Sequence, residues 1–167
     1  MIKIIPATKI IDFQCISNLA NTIWHEHYIT IISLEQIEYM LDKFNSVQAL
    51  KDQVHQGYSF FYITYETTPV GYIGVKKEAD YLFLSKLYVL KDYRGKKIGK
   101  AAMQHVFDLA SFYQLKKVKL NVNKFNTNSI LAYEKLGFVK TKPLVTEIGK
   151  GFIMDDYEME KQLTIDN

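Results

Sequence analysis

Several residue types are scarce in this chain, and each scarcity excludes a class of protein. The 167 residues contain one cysteine, Cys15, so no internal disulfide can form, as is typical of proteins in a reducing compartment. Three prolines and eight glycines are too few for a collagen-like or low-complexity chain. No apolar run approaches the roughly 18 residues of a membrane-spanning helix, and the N-terminus lacks the pattern of a secretory signal. We therefore expect one cytoplasmic domain over residues 1–167, with no membrane segment.

Arginine is the scarcest charged residue, since Arg94 stands beside twenty lysines. Proteins that recognise nucleic acids usually rely on several arginines, so we expect no nucleic-acid partner. Basic residues concentrate between Lys86 and Lys100, whereas acidic residues concentrate between Asp155 and Glu160. This pattern favours a small phosphorylated ligand over a duplex. The four histidines have no cysteine partners and no metal-ligand spacing, so no metal is expected.

The apolar periodicity predicts an element order that points to a mixed sheet. A short strand is followed by three helices, three strands, a helix, a strand, a helix and two closing strands. Thr8 is expected to cap the first helix, and Ser33 and Ser46 the next two. The closing strands are predicted over Phe138–Thr141 and Gly151–Lys161. This order implies the α/β or α+β class, with helices on both faces of the sheet.

The most informative segment is Tyr93-Arg94-Gly95-Lys96-Lys97-Ile98-Gly99-Lys100, between a predicted apolar strand and a predicted helix. Glycine lets backbone N–H groups approach a ligand, and the first helical turn adds unpaired N–H donors at a positive dipole end. The segment therefore predicts a cradle for a pyrophosphate, with a solvated basic turn as the alternative. Neither the G-x-G-x-x-G fingerprint nor the P-loop pattern of nucleotide sites is present.

Two later segments complete a recognisable signature: Asn126, and the run Tyr133-Glu134-Lys135-Leu136-Gly137-Phe138. Together with Leu87-Tyr88-Val89 and Arg94–Gly99, they resemble the GNAT superfamily of acyl-CoA-dependent N-acyltransferases in order and spacing. The resemblance covers the whole chain. One position departs from the family pattern, because Lys97 stands where a glycine is most common, and we expect Lys97 to keep an ordinary φ.

The resemblance implies a mostly antiparallel central sheet with one splayed pair of parallel strands, and acetyl-CoA as co-substrate. Main-chain groups of Leu87 and Val89 would pair with the pantetheine arm, and an N–H near Leu87 or Tyr88 would polarise the thioester carbonyl. Helix capping is the alternative role for Asn126, and a solvated side chain is the alternative for Lys135. The implied coenzyme contacts are Leu87, Tyr88, Val89, Arg94, Gly95, Lys96, Lys97, Ile98, Gly99, Lys100, Asn126 and Lys135.

The resemblance also implies direct transfer of acetyl to a primary amine, with Tyr133 as the general acid that protonates the departing thiolate. A half-buried packing residue is the alternative for Tyr133. The general base is left open among four side chains, namely His25, Glu26, Asp155 and Asp156.

For the acceptor site, we expect Trp24 and Tyr28 to form an aromatic rim and Asp155 and Asp156 to supply negative charge. This combination suits a small cationic amine or a polyamine, with core packing and a solvated strand edge as the alternatives. The chain is also loosely similar to a bacterial branch that includes spermidine/spermine acetyltransferases. A protein or peptide acceptor, a non-catalytic acyl-CoA-binding sensor and a homodimeric assembly remain open.

Overall fold

The computed structural model describes residues 1–163, which form strands and helices joined by short loops. No helix in this part of the chain is long and apolar enough to cross a membrane. The strands are β1 (Ile2–Pro6), β2 (Tyr58–Tyr65), β3 (Thr68–Lys77), β4 (Leu82–Val89), β5 (Lys117–Asn123), β6 (Val139–Gly149) and β7 (Phe152–Gln162), and the helices are α1 (Ile10–Tyr28), α2 (Leu34–Asn45), α3 (Val47–His55), α4 (Ile98–Phe112) and α5 (Thr127–Lys135).

The strands form one sheet with the hydrogen-bonded order β1-β2-β3-β4-β5-β7-β6. β4 and β5 pair in parallel, whereas β1 with β2, β2 with β3, β5 with β7 and β6 with β7 pair antiparallel. The parallel register joins Leu82–Leu84 to Val118–Leu120 and ends there, although β4 continues to Val89. The predicted mixed, mostly antiparallel sheet with one parallel pair is thus confirmed.

The chain divides into two compact units, and β4 contributes to both. The first unit comprises residues 1–76 and 85–106, and its fully buried side chains include Ile16 and Leu50. The second unit comprises residues 77–84 and the described residues from 107 onward, and its buried side chains include Phe138 and Met159. The interpretation of residues 1–167 as a single domain stays a prediction.

The helix caps agree with the sequence at two sites and differ at one. The hydroxyl oxygen of Ser33 accepts a hydrogen bond from the Gln36 N–H at 3.1 Å, and that of Ser46 accepts one from Ala49 at 3.1 Å. Thr8 is not the cap of α1, so that prediction is wrong. Instead, the Asp12 carboxylate in the first helical turn accepts the N–H groups of Thr8 and Lys9, each at 2.9 Å, and these bonds lower the Asp12 pKa.

β6 is much longer than predicted, because it runs from Val139 to Gly149 where the sequence suggested an end at Thr141. Its side chains are mostly exposed, so the strand lacks the apolar alternation by which a half-buried strand is recognised. Pro143 lies in its middle, and β6 is the last strand of the sheet, the kind of strand in which proline is found.

Candidate active site

The loop that follows β4 turns sharply into α4 because two of its residues lie in the left-handed region. Gly95 has φ 82° and Lys97 has φ 65°. Turns that mix left- and right-handed residues can form nests, in which neighbouring main-chain N–H groups converge on an anion. The Ala101 N–H bonds to the Lys97 carbonyl oxygen at 3.1 Å, so the N–H groups of the preceding first turn of α4 have no partner within the helix. The loop and the helix start therefore present donors together.

The conformation of Lys97 corrects an expectation from the sequence. An ordinary φ was expected because Lys97 has a Cβ atom, but its φ is positive. Lys97 directly precedes Ile98, the first residue of α4. A non-glycine residue there costs about 1–2 kcal/mol. Such strain tends to occur at binding sites, where the surrounding structure holds it in place.

The loop leaves open space beside its two glycines. A Cβ atom added at Gly95 or at Gly99 would meet no heavy atom within 4 Å. The basic side chains of the segment are exposed, and two have contacts near the loop. Arg94 Nη2 lies 3.5 Å from His27 Nδ1, and the Lys96 ammonium lies 5.5 Å from the centre of the Tyr65 ring. Charge, donors and room thus coincide at this segment.

Lys86, which the sequence groups with these basic residues, lies elsewhere. Its side chain projects from β4 and is 8% exposed. The ammonium donates to the Phe44 carbonyl oxygen at 3.0 Å and to Gln53 Oε1 at 3.1 Å. Burial lowers the Lys86 pKa to about 8. Lys86 therefore links α2 and α3 to β4 through hydrogen bonds, and its charge does not contribute to the loop after β4.

The C-terminal half of β4 contains Leu87, Tyr88 and Val89, the predicted partners of a pantetheine arm. Because the register with β5 ends at Leu84, β5 pairs with none of these residues in the part of the chain that the structure describes. The Tyr88 hydroxyl lies 3.0 Å from the hydroxyl of Tyr28 on α1. Sequence reasoning assigned only the backbone of Tyr88, so this hydroxyl pair was missed.

The two aromatic residues predicted at the acceptor site, Trp24 and Tyr28, are 6% and 9% exposed. Their ring centres lie 4.5 Å apart. The Trp24 indole N–H donates to the Tyr72 hydroxyl at 3.0 Å, and that hydroxyl donates to Asn45 Oδ1 at 3.3 Å. Tyr72 is fully buried, which raises its pKa. Trp24 is thus part of the core, whereas Tyr28 ends the aromatic cluster at the hydroxyl of Tyr88.

In the second unit, Tyr133 lies on α5 and is half-buried. Its ring packs edge-on against Phe138, with 5.7 Å between ring centres, which fixes the side chain at the end of the helix. Asn126 precedes α5 and is 5% exposed, but its side chain makes no capping hydrogen bond. The capping alternative for this side chain is therefore wrong. Lys135 is exposed on the same helix.

The acidic residues of β7 have different surroundings. Asp155 pairs with the Lys124 ammonium at 2.9 Å. Glu158 and Glu160 each lie 3.9 Å from the Lys119 ammonium. Asp156 is 5% exposed and lies opposite Asn123 of β5. Burial, followed by the neighbouring Asp155 charge, raises the Asp156 pKa to about 6.

The other two candidates for the general base lie on α1 and have contacts that hold the backbone. His25 Nδ1 lies 2.7 Å from the Asn21 carbonyl oxygen. Glu26 is exposed, and its carboxylate accepts the Lys91 N–H at 3.3 Å. Glu26 thereby links the end of α1 to the turn after β4.

Residues 18–138 match the Acetyltransferase (GNAT) family. Because this match spans more than half of the chain, the protein belongs to the GNAT family and is an N-acetyltransferase.

Two curated relatives have defined acceptors. The chain is 26% identical to the spermidine N(1)-acetyltransferase of Thermoplasma acidophilum over 132 residues, which are 76% of this chain and 82% of that protein. It is 31% identical to the peptidyl-lysine N-acetyltransferase YjaB of Salmonella typhimurium over 91 residues, or 54% of this chain. That second match spans only 57% of the relative's own length.

Solved structures agree on the fold. The PaiA N-acetyltransferase of Thermoplasma acidophilum in complex with coenzyme A has a TM-score of 0.80 and 26% identity, covering 97% of this chain and 99% of that one. A GCN5-related N-acetyltransferase from Rhodopseudomonas palustris has a TM-score of 0.81 at 19% identity, covering 96% of this chain and 95% of that one. The second likeness shows the fold alone.

Proposed function

We propose that this protein transfers the acetyl group of acetyl-CoA to the primary amine of a small cationic amine or polyamine. The observation that carries the proposal is the loop after β4, where Gly95 and Lys97 turn the backbone and Gly95 and Gly99 leave open space. A pyrophosphate is the part of acetyl-CoA that needs such a site, because converging N–H groups and a helix N-terminus both favour bound anions.

The first unit supplies most of the coenzyme contacts in this proposal. Arg94, Lys96, Lys97 and Lys100 surround the pyrophosphate with positive charge, and the N–H groups of residues 95–100 donate to it. The pantetheine arm pairs with the backbone of Leu87–Val89, which β5 does not occupy. In the second unit, Asn126, whose buried side chain makes no capping bond, is a proposed contact of the coenzyme, and so is the exposed Lys135.

The chemistry is direct attack by the amine on the thioester carbonyl carbon. A backbone N–H near Leu87 or Tyr88 stabilises the negative charge that develops on the carbonyl oxygen. As the C–S bond breaks, the Tyr133 hydroxyl gives its proton to the departing thiolate. The packing of Tyr133 on Phe138 supports this role because it holds the ring in one orientation.

The acceptor class rests on charge and on one relative. Asp156 is a buried carboxylate, and buried carboxylates are stabilised by a cation. Asp155 contributes to the local negative charge although Lys124 partly offsets it. Tyr28 offers a ring and a hydroxyl, while Trp24 supports the ring from the core. The Thermoplasma relative, named for acetylation of spermidine, matches along 76% of this chain.

A lysine side chain in a peptide is the second candidate acceptor. The match to the peptidyl-lysine acetyltransferase of Salmonella typhimurium favours it, at 31% identity over 91 residues. Lysine presents the same primary ammonium as a polyamine does, so only the surroundings of that ammonium separate the two acceptors.

An assay of coenzyme A release separates the candidates. Spermidine, putrescine, n-butylamine and a lysine-containing peptide are each incubated with acetyl-CoA, and free thiol is followed with time. Fast release with the polyamines supports the proposal, and fast release with the peptide alone supports the second candidate. If the protein binds acetyl-CoA but releases no coenzyme A with any of the four amines, this result would favour an acyl-CoA sensor.

A further inference from the structure

The C-terminal end of α5 in the second unit is held by a backbone motif that includes Tyr133. The Phe138 N–H bonds to the Tyr133 carbonyl oxygen at 3.1 Å. The Gly137 N–H bonds to the Glu134 carbonyl oxygen at 3.0 Å, and Gly137 has φ 97°. Two such bonds around a left-handed glycine form a Schellman motif, which is a common end of a helix. The residue proposed as the general acid is therefore also part of the structure that ends α5.

Lys161 on β7 completes this helix end. Its ammonium donates a hydrogen bond to the carbonyl oxygen of Leu136, the C-terminal cap residue of α5. The same ammonium lies 4.9 Å from the centre of the Phe107 ring on α4, and a Cβ atom added at Gly137 would meet it at 3.2 Å. The last carbonyl groups of a helix have no partner within it and carry partial negative charge, so a cation is favoured there. Lys161 thus links β7 to the end of α5.

Two packed rings extend this contact to the side chain of Tyr133. The Phe107 ring stacks on the Phe138 ring, with 6.2 Å between their centres. The Phe138 ring packs edge-on against Tyr133 and is 2% exposed, so close packing restricts its movement. Lys161 is therefore connected to Tyr133 in two ways, through the backbone of the helix end and through the two phenylalanine rings.

We propose that Lys161 is a positioning residue, which holds the end of α5 so that the Tyr133 hydroxyl can protonate the departing thiolate. The inference rests on the proposed acetyl transfer and on Tyr133 as its general acid. Lys161 acts through Tyr133 and takes no part in the proton transfer itself. Because a displacement of about 1 Å can cost a hundredfold in rate, loss of this contact should lower kcat. Coenzyme affinity should change little, since most of the proposed coenzyme contacts lie in the first unit.

The test is a double-mutant cycle in kcat between Lys161→Met and Tyr133→Phe. Release of coenzyme A is followed with the amine that the wild-type protein acetylates fastest. Lys161→Met keeps an unbranched apolar chain beside Phe107 and removes the ammonium. Alone, it should lower kcat roughly 10–100-fold, with coenzyme affinity by calorimetry within about threefold of the wild type. In the Tyr133→Phe background, it should lower kcat by less than about twofold, because the hydroxyl that Lys161 positions is already absent.

Two further variants separate the ammonium of Lys161 from a general effect of lost charge. Lys161→Arg keeps a cation with hydrogen-bond donors and should recover most of the lost kcat. Lys140→Met on β6 is the matched control, because it removes an ammonium that lies 4.5 Å from the centre of the Tyr157 ring. This control should keep the wild-type kcat.

The possible outcomes are distinct. Equal losses from Lys161→Met in the two backgrounds would overturn the proposal, because the ammonium would then act independently of the Tyr133 hydroxyl. A Lys161→Met protein without a cooperative melting transition would also contradict it, since Lys161 would then serve folding alone. Wild-type kcat in Tyr133→Phe would remove the general acid and this proposal with it. Wild-type protein that acetylates no amine at all would instead refute the proposed function itself.

Discussion

At the scale of single residues, Gly99 is a position where a substitution should weaken ligand binding without disturbing the fold. A Cβ there meets open space, so Gly99→Val should fold normally. The added methyl groups would occupy the space assigned to the pyrophosphate. Charged hydrogen bonds contribute about 1.5–3 kcal/mol each, so the loss of two should weaken coenzyme A binding at least a hundredfold. Calorimetry measures this affinity.

The control for Gly99→Val is Ser111→Val, which places the same side chain at an exposed position near the other end of α4. Both variants lower helix propensity, but only the first alters the loop. Equal coenzyme affinity in the two folded variants would contradict the pyrophosphate assignment.

Lys97 combines a strained backbone with a useful charge, so its replacement should have opposite effects on stability and binding. Lys97→Gly relieves the positive φ and should raise the free energy of unfolding by up to about 1 kcal/mol. It also removes an ammonium, which should weaken coenzyme A binding about tenfold and reduce the salt dependence of that binding. Urea denaturation and calorimetry at two salt concentrations check both effects. A less stable Lys97→Gly protein would show that the backbone is not strained there.

Tyr133→Phe tests the general acid, because it keeps the ring on Phe138 and removes only the hydroxyl. We expect kcat to fall by roughly 10²–10⁴ while coenzyme affinity stays nearly constant. Tyr113→Phe, at another half-buried tyrosine of the same unit, is the matched control. A fall in kcat of less than about threefold in Tyr133→Phe would assign the residue to packing.

At the scale of secondary-structure elements, Lys86 links β4 to the corner between α2 and α3, and this link should depend on pH. The folded pKa is about 8, whereas the unfolded chain has the ordinary value of 10.5. Between these values the unfolded chain binds more protons, so stability should rise as the pH increases from 8 to 10.5.

Lys86→Met should abolish this rise and should be no less stable than the wild type at pH 7, since a buried ammonium is replaced by an apolar chain of similar length. The exposed Lys51→Met on α3 is the control, and it should keep the wild-type pH dependence. The measurement is the free energy of unfolding in urea at pH 8, 9 and 10. A parallel pH dependence in wild type and Lys86→Met would contradict the buried ammonium.

The helix caps and the length of β6 show which features of an element can be predicted from its local sequence. Ser33 and Ser46 were predicted as caps because a serine hydroxyl directly before a helix commonly accepts a hydrogen bond from a backbone N–H of the first turn. The start of α1 was missed by one residue, since Asp12 satisfies the backbone from inside the helix. β6 was predicted too short because an exposed edge strand needs no apolar face. The length of β6 is determined by its pairing with β7, and that pairing is a tertiary contact.

At the scale of the whole molecule, the order of elements was sufficient to predict the class of fold. The order of predicted strands and helices implies a mixed sheet with helices on both faces. The parallel pair was implied by the resemblance to the GNAT superfamily, and β4 and β5 form it. For the candidate site, some features were predicted from the sequence and others were not. Segments contiguous in sequence, such as Arg94–Gly99, were found from their residues, because backbone and glycine chemistry act locally.

Side-chain environments depend on distant neighbours and could not be predicted. Lys86 and Asp156 are charged residues in charged stretches of sequence, and only the fold shows that both are buried. Trp24 stays a prediction at the acceptor site, and only the fold shows that its indole N–H is bonded to Tyr72. The tyrosine pair Tyr28 and Tyr88 joins residues sixty positions apart, which no local pattern reports.

The central claim is that a small cationic amine accepts the acetyl group of acetyl-CoA. The most direct test compares kcat/KM for spermidine, n-butylamine and a lysine-containing peptide, with the acetylated products identified by mass spectrometry. We expect N-acetylspermidine as the main product, with kcat/KM for spermidine at least tenfold above the values for the monoamine and the peptide. Acetylation of the peptide in preference to spermidine, or no acetylated product from any of the three, would contradict it.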